Sequence, residues 1–213
     1  MELIHYLNNE FFTQQQLLVA SEIDLSELET LQLKGLMPRP SYSLKLDLSC
    51  NSFFGLHQEQ ANLDYYAKSY AGWIAEIRPL TSSADAFRLF SDRYKARLRQ
   101  LYAALDLRTH NEKLNAGLDA HITSEWTHFL AGIYGLCTKS GLPEDIAAKE
   151  LAIMIINQIT ELRANPILSQ TERARLTVAV NLLDEASSSF APHEVLRSSR
   201  HRLIDQMRIN YSL

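Results

Sequence analysis

Residues 13–42, TQQQLLVASEIDLSELETLQLKGLMPRPSY, decide how the N-terminal part of this chain is read. Thr13 suits a helix N-cap, because its hydroxyl can accept from a free N–H of the first turn, and Leu17, Leu18 and Ala20 follow at core spacing. Ser21 to Asp24 supplies a turn. Leu25, Leu28, Leu31 and Leu36 predict the apolar face of a second helix, closed by Gly35 and Pro38. Upstream, Glu2 to Asn9 predicts a short helix with Leu3, Ile4 and Leu7 on one side. Downstream, Tyr42, Leu44, Leu46 and Leu48 alternate with Ser43, Lys45, Asp47 and Ser49, the period of a half-buried strand. Asn51-Ser52 is read as a turn and Phe53-Phe54 as the start of a short returning strand.

Beyond Gly55 the rhythm is helical. Helices are expected near 57–77, 84–106, 112–137, 143–163, 170–187 and 192–209. Pro79, Gly141-Leu142-Pro143, Asn165-Pro166 and Pro192 mark the joints. Ser169 and Glu172 form a capping box. The helix opening at Pro143 is apolar almost all round, through Ile146, Leu151, Met154, Ile155, Ile159 and Leu162 with Ile153 and Ile156. Such a helix belongs in the middle of a bundle. Lys149 and Glu150 within it are assigned to a solvated edge. The expected fold is mainly α: a helix-turn-helix-like module with a short β-ribbon over residues 1–55, then a bundle of about six helices over 56–213.

The chain has 213 residues, 46% of them hydrophobic, enough for a bundle with a small appendage. Net charge is −4, and it resides entirely in residues 1–50, where Lys34, Arg39 and Lys45 face seven carboxylates. That balance excludes a dedicated non-specific binder of nucleic acid or anionic membrane. No N-terminal stretch has the form of a secretion signal, and the longest apolar run, Leu151 to Ile156, falls far short of the roughly 20 residues that cross a bilayer. A cytoplasmic location without membrane partners is expected. Cys50 and Cys137 form no CxxC pair and are read as reduced, partly buried thiols. A nucleophilic role for Cys137 would need Lys139 and His128 beside it.

Thr13, Leu17, Ser21, Ile23, Leu28, Leu31, Gly35, Leu36, Pro38 and Tyr42 resemble the winged helix-turn-helix of the MerR superfamily. There, a T-x3-L first helix leads to a second helix, a GL-x-P ending and a wing. The resemblance covers about 35 residues. It implies a DNA-associated transcriptional regulator whose bundle dimerises or senses a ligand. A homodimer of that kind spaces its reading helices about 34 Å apart. The polar groups available to DNA are Gln14, Gln15, Gln16, Lys34, Arg39 and Lys45. This chain departs from the family just after Leu28, where an arginine and tyrosines approach the DNA backbone in MerR-type readers. Here Glu29, Thr30 and Leu31 stand instead, and a carboxylate facing phosphate is repelled. A protein-interaction module that keeps the shape without DNA binding is therefore the alternative. Ser41-Tyr42, Ser52-Phe53-Phe54-Gly55 and Tyr134-Gly135-Leu136-Cys137-Thr138 also resemble an uncharacterised bacterial protein family, which implies no activity.

A third reading, a metal-dependent enzyme in the helical bundle, rests on His121, Glu125 and His128. At about 100° per residue they share one stripe of a helix and could ligate zinc or iron inside a bundle. Hydrogen-bonded residues bordering the apolar face of Ile122, Trp126 and Phe129 explain the same pattern. No Gly-rich phosphate loop, nucleophile elbow or His-Glu-x-x-His occurs, so no catalytic residue and no cofactor is expected. The arginines of 88–99 and 197–208 are read as helix faces paired with acids.

Overall fold

The computed structural model of the chain describes residues 2–105, 107 and 109–213. It is mainly helical, with a three-stranded antiparallel sheet near the N-terminus and a helical region after it. The N-terminal elements run α1 (Glu2–Glu10), β1 (Phe11–Thr13), α2 (Gln14–Ser21), α3 (Leu25–Leu33), β2 (Tyr42–Ser52) and β3 (Gly55–Ala67). Thr13 caps α2 as expected: its hydroxyl accepts from the backbone of Gln16, whose side chain reaches back to the Thr13 N–H. Asp24 does the same for α3, accepting from the Glu27 N–H at 2.8 Å. Leu28, Leu31 and Leu36 point inward, whereas Leu25 is 41% exposed and belongs to the outer face.

The helix expected from residue 57 is a strand as far as Ala67. Gln58, Glu59, Gln60 and Ala61 are good helix formers, but propensity is a weak prior and the hairpin ladder with residues 46–49 overrides it. Pairing runs without a slip from Tyr42 opposite Tyr65 to Ser52 opposite Gly55, so Phe53-Phe54, not Asn51-Ser52, forms the turn. Gly55 takes the positive φ of +108° that this turn requires. The far end of β3 also pairs with β1, Phe11 opposite Ala67, which gives the strand order β1-β3-β2. Successive side chains then serve opposite faces. Tyr65 packs with Leu7 and Phe11 beneath α1, while Tyr66 enters the main core. Residues 47–60 project beyond this packing with both faces exposed, so the half-buried pattern expected through Leu48 stops short of it and Cys50 is exposed rather than partly buried.

The remaining helices are α4 (Tyr70–Ile77), α5 (Ser83–Leu105), α6 (Leu118–Leu130), α7 (Ile133–Cys137), α8 (Pro143–Ile159), α9 (Gln170–Ala186) and α10 (Gln206–Tyr211). Asp106, the expected last residue of α5, lies outside the described residues. The continuous helix expected over 112–137 begins only at Leu118, after a 3-10 turn at Glu112–Leu114, and breaks at Gly132, whose φ is +81°. A Cβ there would lie 2.6 Å from the Arg39 carbonyl oxygen and 2.7 Å from that of Pro40. The break lets the end of α6 press against the segment following α3. Arg39 N–H donates to Leu130 O at 2.9 Å, and Ser41 Oγ donates to Gly132 O at 3.0 Å. The Trp73 indole, fully buried, donates to Leu36 O at 2.9 Å. One continuous core therefore joins Leu17, Leu28 and Leu36 to Trp73, Phe90, Phe129 and the apolar length of α8.

Helix α8 occupies the interior as its all-round apolarity requires, with Ile146, Leu151 and Ile156 each at 0% exposure. It ends at Ile159 rather than 163; residues Glu161–Arg163 form a 3-10 turn with positive φ. The Ser169–Glu172 capping box opens α9. Over 192–209 the expected single helix is interrupted. A 3-10 turn at Val195–Arg197 precedes a π-helical turn, His201–Asp205, that runs into α10. Ser198 Oγ accepts from the His201 N–H at 3.0 Å and starts the helical path there. The basic runs pair with acids. Arg93 joins Glu76 of α4 and Glu144 of α8, and Arg200 and Arg208 both reach Asp184.

Candidate functional site

The N-terminal module keeps α3 on the surface. Its inner side is Leu28 and Leu31; its outer side is Leu25, Ser26, Glu29, Thr30 and Leu33, the last 91% exposed. Arg78, the C-cap of α4, pairs with Glu27 at 2.8 Å and fixes the inner edge. The residues expected to meet DNA lie on separate elements. Gln14, partly buried, and Gln15, exposed, begin α2. Exposed Lys34 caps the C-terminus of α3, exposed Arg39 follows it, and exposed Lys45 lies on β2 opposite Asn62. At the ribbon's tip Phe53 and Phe54 are 96% and 95% exposed, with their rings edge to face. No ionised side chain stands between Leu48 and Leu56.

A second cluster sits in the helical region. His121 and Glu125, one helical turn apart on α6, both face inward and are buried. His121 Nδ1 lies 3.3 Å from Glu125 Oε1, and its Nε2 lies 3.3 Å from the Tyr94 hydroxyl of α5. Glu150 of α8 completes the group. Ligand atoms of His121, Glu125 and Glu150 all fall within 4.8 Å of one another. His128, the third residue of the expected set, is exposed at the rim, its Nδ1 3.9 Å from Glu125 Oε2. A cleft lined by Lys113, Gly117, His121, Ser124, Glu125 and His128 opens onto the cluster. An imidazole and two carboxylates in this arrangement could hold a divalent metal.

The assignment of Lys149 and Glu150 to a solvated edge is corrected by their burial. Lys149 is 7% exposed; its ammonium donates to Cys137 Sγ at 3.2 Å and lies over the Tyr134 ring. Glu150 is partly buried. The missed signal is the helix itself: with Ala147, Ala148, Leu151 and Ala152 all buried, α8 has no polar face on which to place the pair. Burial pushes the Glu125 carboxyl up to about 8, with the neighbouring Glu150 adding to it. Glu150 is likewise raised, mainly by burial. Burial lowers His121, helped by Lys113 and His128, which favours the neutral imidazole that a metal requires. Burial also raises the Cys137 thiol despite Lys149, which opposes a nucleophilic role.

Fold and site together define a mainly helical protein with an N-terminal three-stranded sheet and a buried His–Glu–Glu cluster. The chain belongs to the family of unknown function DUF6058, whose model matches residues 86–212. The cluster lies within that matched region, and the N-terminal module lies before it. No curated protein and no solved structure matches the chain. Among the described residues, no helix is long and apolar enough to cross a membrane.

Proposed function

We propose that residues 1–67 act as a winged helix-turn-helix that docks a protein partner through α3 and the tip of the ribbon. The order helix, strand, helix, helix, strand, strand, with the first strand pairing the last, supports the winged shape. The observation that carries the choice of partner is the outer face of α3, where Glu29 stands between exposed Leu25 and Leu33. A phosphate backbone would meet a carboxylate and apolar side chains there; a protein groove accepts both. Phe53 and Phe54 extend the same chemistry to the ribbon, since exposed aromatic side chains are the common anchors of protein interfaces.

A DNA-associated, MerR-like regulator is the second reading, favoured by the exposure of Lys34, Arg39 and Lys45 around an uncovered α3. Two measurements separate the readings. Photo-crosslinking from position 33 or 53 in native cells is expected to trap one protein reproducibly; no adduct at either position would end the docking reading. Fluorescence anisotropy with DNA fragments at low salt is expected to stay flat. A salt-dependent rise that Lys34→Ala and Arg39→Ala reduce would establish the DNA reading instead.

A further inference from the structure

We propose that His121, Glu125 and Glu150 form a binding site for one divalent transition-metal ion, with zinc the first candidate, in the interior of the helical region. Donor geometry is the first support. Zinc held at about 2.0–2.2 Å by nitrogen and oxygen keeps tetrahedral ligand atoms roughly 3.3–3.5 Å apart. His121 Nδ1 and Glu125 Oε1 already stand at 3.3 Å, and the Glu150 oxygen lies within 4.8 Å of both. A side-chain adjustment of about an ångström closes the set.

An unsatisfied atom is the second, independent support. Glu125 is 5% exposed, and its Oε2 has no hydrogen-bond partner. A carboxylate oxygen buried without a donor is costly, and a cation is one of the few groups that relieves it. Lys149 and Lys113 act on both carboxyls through space, but neither is in contact with them. Among the described residues, no Lys or Arg nitrogen lies within 4.0 Å of Glu125 or Glu150, and the nearby Lys149 is directed at Cys137 and Tyr134. The remaining feature is the outer contact that metal-ligating histidines carry. With Nδ1 given to the ion, the Nε2–H of His121 donates to the Tyr94 hydroxyl, which fixes tautomer and ring angle. The cleft beside Gly117 admits the ion and leaves a fourth position for water or for His128.

Imidazole among the donors favours zinc, copper, iron or nickel over calcium, magnesium or manganese. The site is separate from α3 and the ribbon, so it stands or falls independently of partner docking.

Equilibrium dialysis of the chelator-stripped full chain against micromolar zinc, read by elemental analysis, is expected to give about one equivalent. Cobalt added to the same protein is expected to develop the visible absorption of a low-symmetry nitrogen–oxygen site. Both measurements use the unaltered protein. Glu150→Gln and Glu125→Gln, near-isosteric and checked for folding by circular dichroism, are expected to weaken zinc at least tenfold, while His201→Ala leaves it unchanged. Less than a tenth of an equivalent in the unaltered chain would overturn the proposal and leave two carboxyls sharing a proton. Full binding by folded Glu125→Gln and Glu150→Gln would overturn it equally, placing the ion on surface histidines.

Discussion

Two residues test the structure atom by atom. At Gly132 the backbone has a φ of +81°, and an added methyl group would stand 2.6 Å from the Arg39 carbonyl oxygen. Gly132→Ala is therefore expected to lose roughly 2 kcal/mol or more, read as a lower urea midpoint at constant m-value. A change under about 0.5 kcal/mol would mean that residues 39–40 move aside freely. Glu125 supplies the pH dependence. Its carboxyl is pushed up to about 8, chiefly by burial, above the roughly 4.3 of the unfolded chain. The folded protein thus keeps a proton that the unfolded chain has released, and metal-free stability falls as pH rises from about 4.5 to 8. Glu125→Gln cannot ionise and removes that decline. Chelator-treated protein unfolded at pH 5 and at pH 8 is expected to show the variant gaining on the parent, by on the order of 1–3 kcal/mol. A gap that does not move with pH would show the carboxylate already ionised at pH 5.

Elements behave differently according to what holds them. Helix α9 is begun by Ser169, whose hydroxyl accepts from the Glu172 N–H, and Ser169→Ala is expected to cost about 1 kcal/mol in thermal or urea unfolding. The ribbon tip should be almost silent by that measure. Replacing Phe53 and Phe54 by Ser removes side chains 96% and 95% exposed, so stability is expected to stay within about 0.5 kcal/mol while crosslinking to a partner disappears. A large loss of stability would place those rings in an intramolecular contact. The N-cap at Thr13, the capping box at Ser169 and the interior helix α8 were readable in the chain because their signals are local: a hydroxyl three residues before its target, or apolar residues on every side. Strand β3 was not, since Gln58 to Ala61 become a strand only through partners on β2. Glu150 escaped for a related reason. His121 and Glu125 announce themselves by spacing on one helix, whereas the third member of the cluster arrives on another, and sequence separation hides what packing joins.

At the scale of the whole molecule, the core does not respect the limits of the family match. Residues 86–212 carry that match, yet Trp73, Ile74 and Ile77, each at 0% exposure, lie outside it. Trp73 packs its ring 5.0 Å from that of Phe129 and 6.4 Å from that of Trp126. A chain beginning at Ala86 is expected to keep far-UV helicity, lose its near-UV signal and bind ANS, the behaviour of a loosely packed globule. A cooperative melt with a native near-UV spectrum would mean that the helical region folds alone. The same packing governs how the front end can be used. Gly132 wedges beneath Arg39-Pro40 and the Trp73 indole grips Leu36, so the segment leaving α3 has no swivel. If two such chains join through their helices, the pitch between their outward-facing α3 surfaces is set by the joint. Targets would then be sorted by separation before any side chain is read.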